Sequence, residues 1–266
     1  MSTALLHSHR AMDSVRVYDE AYETLDAATK VRLDLAVAHR WALRWNWNQG
    51  VVNHFTALVP GYGDRFYAIP YGLHWSEVKV RDFLVVDLNG RVIEGDGEIE
   101  LTSLMIHGAM HRDLAHAKVI LHTHQPHIAA LTCLEDQRVE FCSQHTLHFP
   151  GRIAYLDSYG PATEDSIGKL IADAIQDKDI LLMANHGVTV CGSTVHEAFD
   201  DLYTLDRACE AQLLAAATRK KLRIIAEADL AAHAPRAHAK GVEEGEKHFR
   251  ALRRLVWREE PDIADA

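Results

Sequence analysis

His122-Thr123-His124 closes a short run of β-branched and aliphatic residues, Val119-Ile120-Leu121. Side chains two apart on a strand share a face, so both imidazoles leave its end in one direction. In open α/β sheets, ligands collect at strand C-termini. A second run, Ile180-Leu181-Leu182-Met183-Ala184-Asn185-His186-Gly187, has the same grammar, an aliphatic strand ending in His and then Gly. Two strand ends delivering three imidazoles describe a divalent metal site with open coordination positions. Histidines are plentiful here, 18 in all, but packing accounts poorly for a His-x-His strand terminus.

Further residues invite weaker assignments. His107 and His111 stand at i, i+4 on one helix face, but the Glu of a zincin motif is missing from His107-Gly108-Ala109-Met110-His111. His107 is expected to approach the site as proton donor or substrate contact. His127 reads as a packing or supporting residue, and His145 and His148 flank a loop from which one could reach the site as an acid. Gly187 fits a close backbone approach, and Asn185 a loop-stabilising role.

The elements that must position these residues follow from periodicity and punctuation. Leu25, Val31, Leu33, Leu35, Ala38 and Leu43 recur at helical period over Thr24 to Trp45. Short strands follow at His54 to Val59, Phe66 to Ile69, Phe83 to Asp87 and Arg91 to Ile93, with an Asn-Gly hairpin signal at Asn89-Gly90. Thr102 is the expected cap of a helix to about Asp113. After the His-x-His strand come a short helix from Pro126, a strand near Arg152 to Tyr155, and a helix opened by Thr163-Glu164-Asp165. Thr194 with Glu197 forms a capping box for a long helix to about Arg219. Helices alternating with a central strand set predict a three-layer α/β/α domain with a mixed sheet. The expected divisions are a flexible N-terminus over 1–20, the α/β domain over 21–220 and a helical extension over 221–266.

Composition narrows the class. With 266 residues the chain can bury a full core, and 48% hydrophobic with 25% charged residues is ordinary for a soluble globular protein. A net charge of −10 argues against nucleic acid, which needs clustered positive charge. No apolar run reaches membrane-spanning length. Four cysteines without CxxC spacing, and no signal peptide, read as reduced thiols in a cytoplasmic protein.

Together these residues resemble the class II aldolase/adducin family over about Thr24 to Ala216. The resemblance is carried by Asn53-His54, Ile69-Pro70-Tyr71-Gly72-Leu73, the helix through His107, His122-Thr123-His124, and Asn185-His186-Gly187. It implies a class II aldolase-like fold, with one divalent ion held by His122, His124 and His186. It places Asn53, Tyr71 and Gly72 where substrate binds. It also implies a homo-oligomer, commonly a tetramer, in which Phe249 to Trp257 helps line a neighbour's pocket and Arg250, with Arg253 and Arg254, offers forks for a carboxylate.

One departure matters. Family aldolases carry a catalytic Glu four residues before the histidine matched by His107, and here Ser103 stands there, with Glu98 and Glu100 as nearby acids. A Ser hydroxyl is no carboxylate base at neutral pH. Tyr71 is also bulky for a phosphate-wrapping loop. The resemblance so adjusted implies a metal-dependent carbon–carbon lyase on a carboxylated, non-phosphorylated small molecule. Decarboxylation of a hydroxylated or keto acid, aromatic acids included, stands ahead, with His107 and Ser103 as candidate catalytic residues. Alternatives are an aldolase on a hydroxy-keto acid, a non-haem Fe(II) oxygenase of aryl keto acids, and a non-catalytic adducin-like module. Three neutral imidazoles accept Zn, Mn, Fe or Co alike.

Overall fold

A computed structural model describes residues 16–159 and 167–265 of the protein. One eight-stranded sheet runs through it in the order β4-β3-β2-β1-β5-β8-β7-β6. The strands are β1 (His54–Leu58), β2 (Arg65–Ala68), β3 (Leu84–Asp87), β4 (Val92–Glu94), β5 (Val119–Thr123), β6 (Ile153–Leu156), β7 (Ile180–Met183) and β8 (Gly187–Gly192). Every neighbouring pair is antiparallel except β6–β7. The mixed sheet matches expectation. The site's location does not follow the parallel-sheet rule, because β5 meets antiparallel partners on both sides.

Strand alternation divides the core. Val119 and Leu121 of β5, Phe55 and Ala57 of β1, and Val188 and Val190 of β8 face one layer. That layer holds α1 (Ala27–Arg44), α3 (Pro126–Thr132), α5 (Val195–Ala217) and the C-terminal half of α6 (Glu227–Glu259). Ile120, Leu181, Met183 and Cys191 face the other layer, formed by α4 (Ile167–Ile175) and the helical stretch over 101–113, α2. α2 joins α-helical Leu101–Ser103, a π turn over Leu104–Gly108 and α-helical Ala109–Asp113. By the same parity His54, Thr56, His122 and Thr189 point towards α2.

Local chemistry sets the boundaries. Asp26 caps α1 by accepting Thr29 N–H at 2.9 Å. Glu100, not Thr102, caps α2, accepting Ser103 N–H at 2.7 Å and the Thr102 hydroxyl at 2.5 Å. At the expected Asn-Gly hairpin only Gly90 has positive φ, +87°. Asp87 Oδ1 accepts the N–H groups of Asn89 and Arg91, tying the loop together. The Thr194–Glu197 box is half formed: Glu197 N–H reaches Thr194 Oγ1 at 3.3 Å, while the Glu197 carboxylate turns to Ser193 N–H. The helix-opening residues Thr163-Glu164-Asp165 lie outside the described residues, as do 1–15 of the expected flexible N-terminus. Residues 16–24 are helical.

The C-terminal segment is anchored in its own chain. Phe249, Leu252 and Val256 are buried in the main core, and each such side chain contributes roughly 1.5–3 kcal/mol. Arg253 donates to Asp34 at 2.8 Å, both nearly buried, and the Tyr22 hydroxyl donates to the other Asp34 oxygen at 2.8 Å. Asp34→Ala would strand the Arg253 charge in the interior, so the variant should lose about 3–5 kcal/mol by urea denaturation. A loss below about 1 kcal/mol would show that water reaches the pair.

Candidate metal centre

The three histidines meet although β5 and the β7–β8 connection are far apart in sequence. One nitrogen from each of His122, His124 and His186 lies within 4.8 Å of the others. His122 is the last inward residue of β5, and His124 follows just beyond the strand end. His186 comes not from a strand end but from a three-residue hairpin, since Met183 pairs with Gly187. Asn185 takes φ +57° to close that turn, and its N–H donates to Thr132 O at 2.8 Å. A Cβ on Gly187 would lie 2.4 Å from Thr123 O and 2.8 Å from His124 Cδ2. Only glycine lets the hairpin press this close to β5.

Hydrogen bonding fixes which nitrogens are free. His122 Nδ1 lies 2.9 Å from Val188 O, and a carbonyl only accepts, so Nδ1 carries the proton. His124 Nδ1 lies 2.5 Å from Gln49 Oε1 and, with that amide oxygen accepting, is likewise the protonated nitrogen. Both Nε2 atoms are then bare lone pairs, yet they face each other at 3.0 Å. Two acceptors at that separation repel unless a cation lies between them, and nitrogens each roughly 2.0–2.1 Å from one ion sit about 3 Å apart. The outward partners Val188 and Gln49 supply the support that ligating imidazoles need. The residues present therefore fit a divalent metal.

Burial, and secondarily the neighbouring imidazoles, hold the three side chains neutral. His122 is pushed well below the ordinary 6.5, His124 to about 4, and His186 in the same direction. Burial also lowers His111 to about 4 and His39 to about 3. In the metal-free protein the unfolded chain takes up these protons first, so stability is fullest above pH 6.5. It should fall as pH drops from 6.5 towards 4. Denaturant midpoints across that window check the sign, and a flat profile would contradict it.

Beside the triad lies a small second cluster. His54 opposes His122 in register across β1 and β5, with ring centroids 5.9 Å apart. Its Nε2 is 3.0 Å from Glu100 Oε2. Burial alone would raise the Glu100 carboxyl, but the neighbouring His54 imidazole and hydrogen bonds from Thr102 and Ser103 hold it down at about 2. Asn53, His54, Tyr71, Glu100 and Ser103 line one cavity, joining three of the sequence-derived candidates. Gly72 turns the adjoining loop with φ +90°.

His107 is placed differently from expectation. It is fully buried, does not line that cavity, and packs edge-on to His54 at 5.6 Å. Its Nδ1 bonds Thr56 Oγ1 at 2.7 Å, which in turn bonds His111 Nε2 at 2.9 Å, and His111 Nδ1 bonds Ala117 O. Burial drives its pKa well below 6.5, so it stands neutral and is a poor proton donor. Arg250 is not joined to the triad within the chain; it pairs with Asp19 at 2.6 Å. His127 bonds Asp206, and His148 lines a cavity with Arg152 and Gly192, at the other end of the sheet. His54, Glu100, Gln49 and Tyr159, whose ring lies 6.2 Å from His186, do not stand out as site residues from sequence. Only the Asn53-His54 pair and the nearby acid Glu100 give any signal.

A mixed sheet that gathers three imidazoles at one end, covered by helices on both faces, defines an α/β protein with a candidate metal centre. The model of the class II aldolase and adducin N-terminal domain matches residues 33–213. The chain is 32% identical over 203 residues to an adducin-related protein of Schizosaccharomyces pombe, covering 74% of this chain and 62% of that one. It is 30% identical over 191 residues to a putative aldolase class 2 protein of Pseudomonas aeruginosa, covering 71% and 73%. An aldolase II superfamily protein of Pseudomonas syringae superposes with TM-score 0.79 at 27% identity, covering 91% of this chain and 98% of that one. L-fuculose 1-phosphate aldolase of Glaciozyma antarctica does so with TM-score 0.77 at 25% identity, covering 87% and 92%. The chain belongs to the class II aldolase and adducin family. Among the described residues, no helix is long and apolar enough to cross a membrane.

Proposed function

We propose that the protein is a divalent-metal-dependent carbon–carbon lyase that decarboxylates a hydroxylated or keto carboxylic acid, aromatic acids included. The observation that carries this is the facing pair of bare Nε2 atoms at 3.0 Å, completed by His186. When bound there, a zinc, manganese, iron or cobalt ion supplies Lewis-acid polarisation of a chelated substrate oxygen. Glu100 is the carboxylate in the cavity beside the triad, and at about 2 its affinity for protons is too low for efficient abstraction from carbon. Aldol chemistry needs such a base. Loss of carbon dioxide does not, because the bonding electrons stay behind and only a later protonation is required.

Tyr159 is the residue we assign to that protonation. Its phenol is exposed and its ring stands beside His186. Tyr159→Phe should lower turnover by roughly a hundredfold, the usual worth of a positioned acid, with metal content unchanged. Unaltered turnover would leave the proton to water.

The adducin relatives favour a second reading, an interaction module without catalysis. The intact triad supports the enzyme instead. A cytoplasmic homotetramer remains our expectation for its assembly and location, with size-exclusion light scattering as the check on the former. The test of function is anaerobic release of carbon dioxide from a panel of β-keto and ortho-hydroxy aromatic acids by protein loaded with each metal in turn. Release without oxygen supports the lyase. Turnover that consumes oxygen and needs iron would transfer the site to an oxygenase, and inertness of every loaded form would favour the module.

A further inference from the structure

A separate cavity, of about 470 Å³, opens at the end of the sheet away from the triad. Lys118 and Val119 at the start of β5 line it, with Leu58 and Val59 at the end of β1. His54 and His122 pair at the far end of the same two strands, three residues from the Ala57–Val119 pair. At about 3.3 Å per residue, roughly 10 Å of strand separates the cavity from the triad. The volume is that of a small-molecule pocket, typically about 300–1,000 Å³. Val31 of α1 and Val195 of α5 complete walls that are chiefly aliphatic. The charged groups around them are one-sided. Asp34 is already occupied, because Arg253 donates to one carboxylate oxygen and the Tyr22 hydroxyl to the other. Lys30 reaches out to Glu23 at 2.9 Å, but that carboxylate is 74% exposed and such a pair is weak. Lys118 is exposed and forms no ion pair among the described residues. The first turn of α5 faces the same space and adds the positive end of a 23-residue helix, while its one acid, Glu197, lines a different cavity.

We propose that this cavity is a second ligand site, separate from the metal centre, that binds a medium-chain alkyl carboxylate. The chain lies against Val31, Leu58, Val119 and Val195, where each methylene removed from water adds to affinity. The carboxylate meets the Lys118 ammonium at the mouth, and Lys30 can leave Glu23 to join it. A cationic ligand would face two ammonium groups with no free carboxylate between them. A neutral ligand would gain the walls and forgo the charge. The metal takes no part, so the site stands whether or not the protein is a lyase.

Calorimetric titration of the zinc-loaded protein with octanoate, octanamide and acetate tests it. Octanoate should bind about fivefold more tightly than octanamide, the worth of one exposed ion pair with a helix dipole behind it. It should bind about a hundredfold more tightly than acetate, which has the charge without the chain. Lys118→Gln should bring octanoate down to the level of octanamide and leave octanamide unchanged. Val31→Trp, which fills the cavity, should abolish binding of both. His122→Ala should bind octanoate as the wild type does. Equal affinities of octanoate and octanamide in the wild type, or an undiminished difference in Lys118→Gln, would overturn the carboxylate site. Loss of octanoate binding in His122→Ala would put the ligand on the metal and overturn it too. Absence of any octanoate binding would end the proposal outright, and a lower oligomer mass of Val31→Trp by light scattering would then identify a second copy as the occupant. Thermal midpoints separate these results from misfolding, and Lys118→Gln, at an exposed position, carries the test if Val31→Trp fails to fold.

Discussion

His122→Ala should abolish both metal retention and turnover while the fold survives. The side chain is 2% exposed and forms the middle of the triad, bonded outward to Val188 O and facing His124 inward. Removing it leaves two imidazoles, too few to compete for a divalent ion in water. The effect is readable without a substrate. A ligand that binds only the folded state at about a thousand times its Kd adds about 4 kcal/mol, on the order of 10 °C in melting temperature for a chain of this size. Wild-type protein should gain that shift on adding the metal, and His122→Ala should gain almost none. Far-ultraviolet circular dichroism of the two metal-free proteins should coincide. A variant that kept the full shift would remove His122 from the ligand set.

Gly187→Ala should damage the same centre from behind. Its new methyl would meet Thr123 O at 2.4 Å, and a backbone oxygen in a paired strand cannot swing aside as a side-chain tip can. The β7–β8 hairpin must then move away from β5, which separates His186 from His122 and His124. Overpacking of this kind costs about 1–3 kcal/mol. Loss of metal affinity should exceed what that destabilisation accounts for, because ligand geometry tolerates only small displacements. Gly63→Ala is the control, since nothing lies within 4 Å of its added Cβ. Denaturant midpoints and metal titration of both variants decide the matter. Equal behaviour would show that the hairpin has slack.

The clustering of His122, His124 and His186 was legible because imidazoles at the ends of apolar runs rarely serve packing, and the family resemblance pointed to the same three residues. The three-layer arrangement was legible too, from helices alternating with short strands. Strand direction was not. Nothing in Ile180 to Gly187 distinguishes one strand ending in His186 from two strands joined by a hairpin whose Asn185 sits at positive φ. Glu100 illustrates a different limit. Ungapped alignment puts Ser103 at the position of the family's carboxylate and leaves Glu100 outside the helix. The chain makes Glu100 the cap of a helix that then widens into a π turn, so the carboxylate folds back into the cavity with Ser103 beside it. The cap bond from Ser103 N–H, which spacing cannot report, holds this acid at the cavity. His54 was visible only as half of a motif, because its partner Glu100 lies far along the chain and meets it only once the sheet forms.

The most direct test is elemental analysis of the wild-type protein, purified without a polyhistidine tag or chelator and then refilled with Zn, Mn, Fe or Co. Close to one divalent ion per chain is the predicted result, bound without requiring any acid residue of the cavity. A protein that comes out empty and takes up none of the four metals would contradict the metal centre, since the facing Nε2 pair would then have to be held together by something other than a cation.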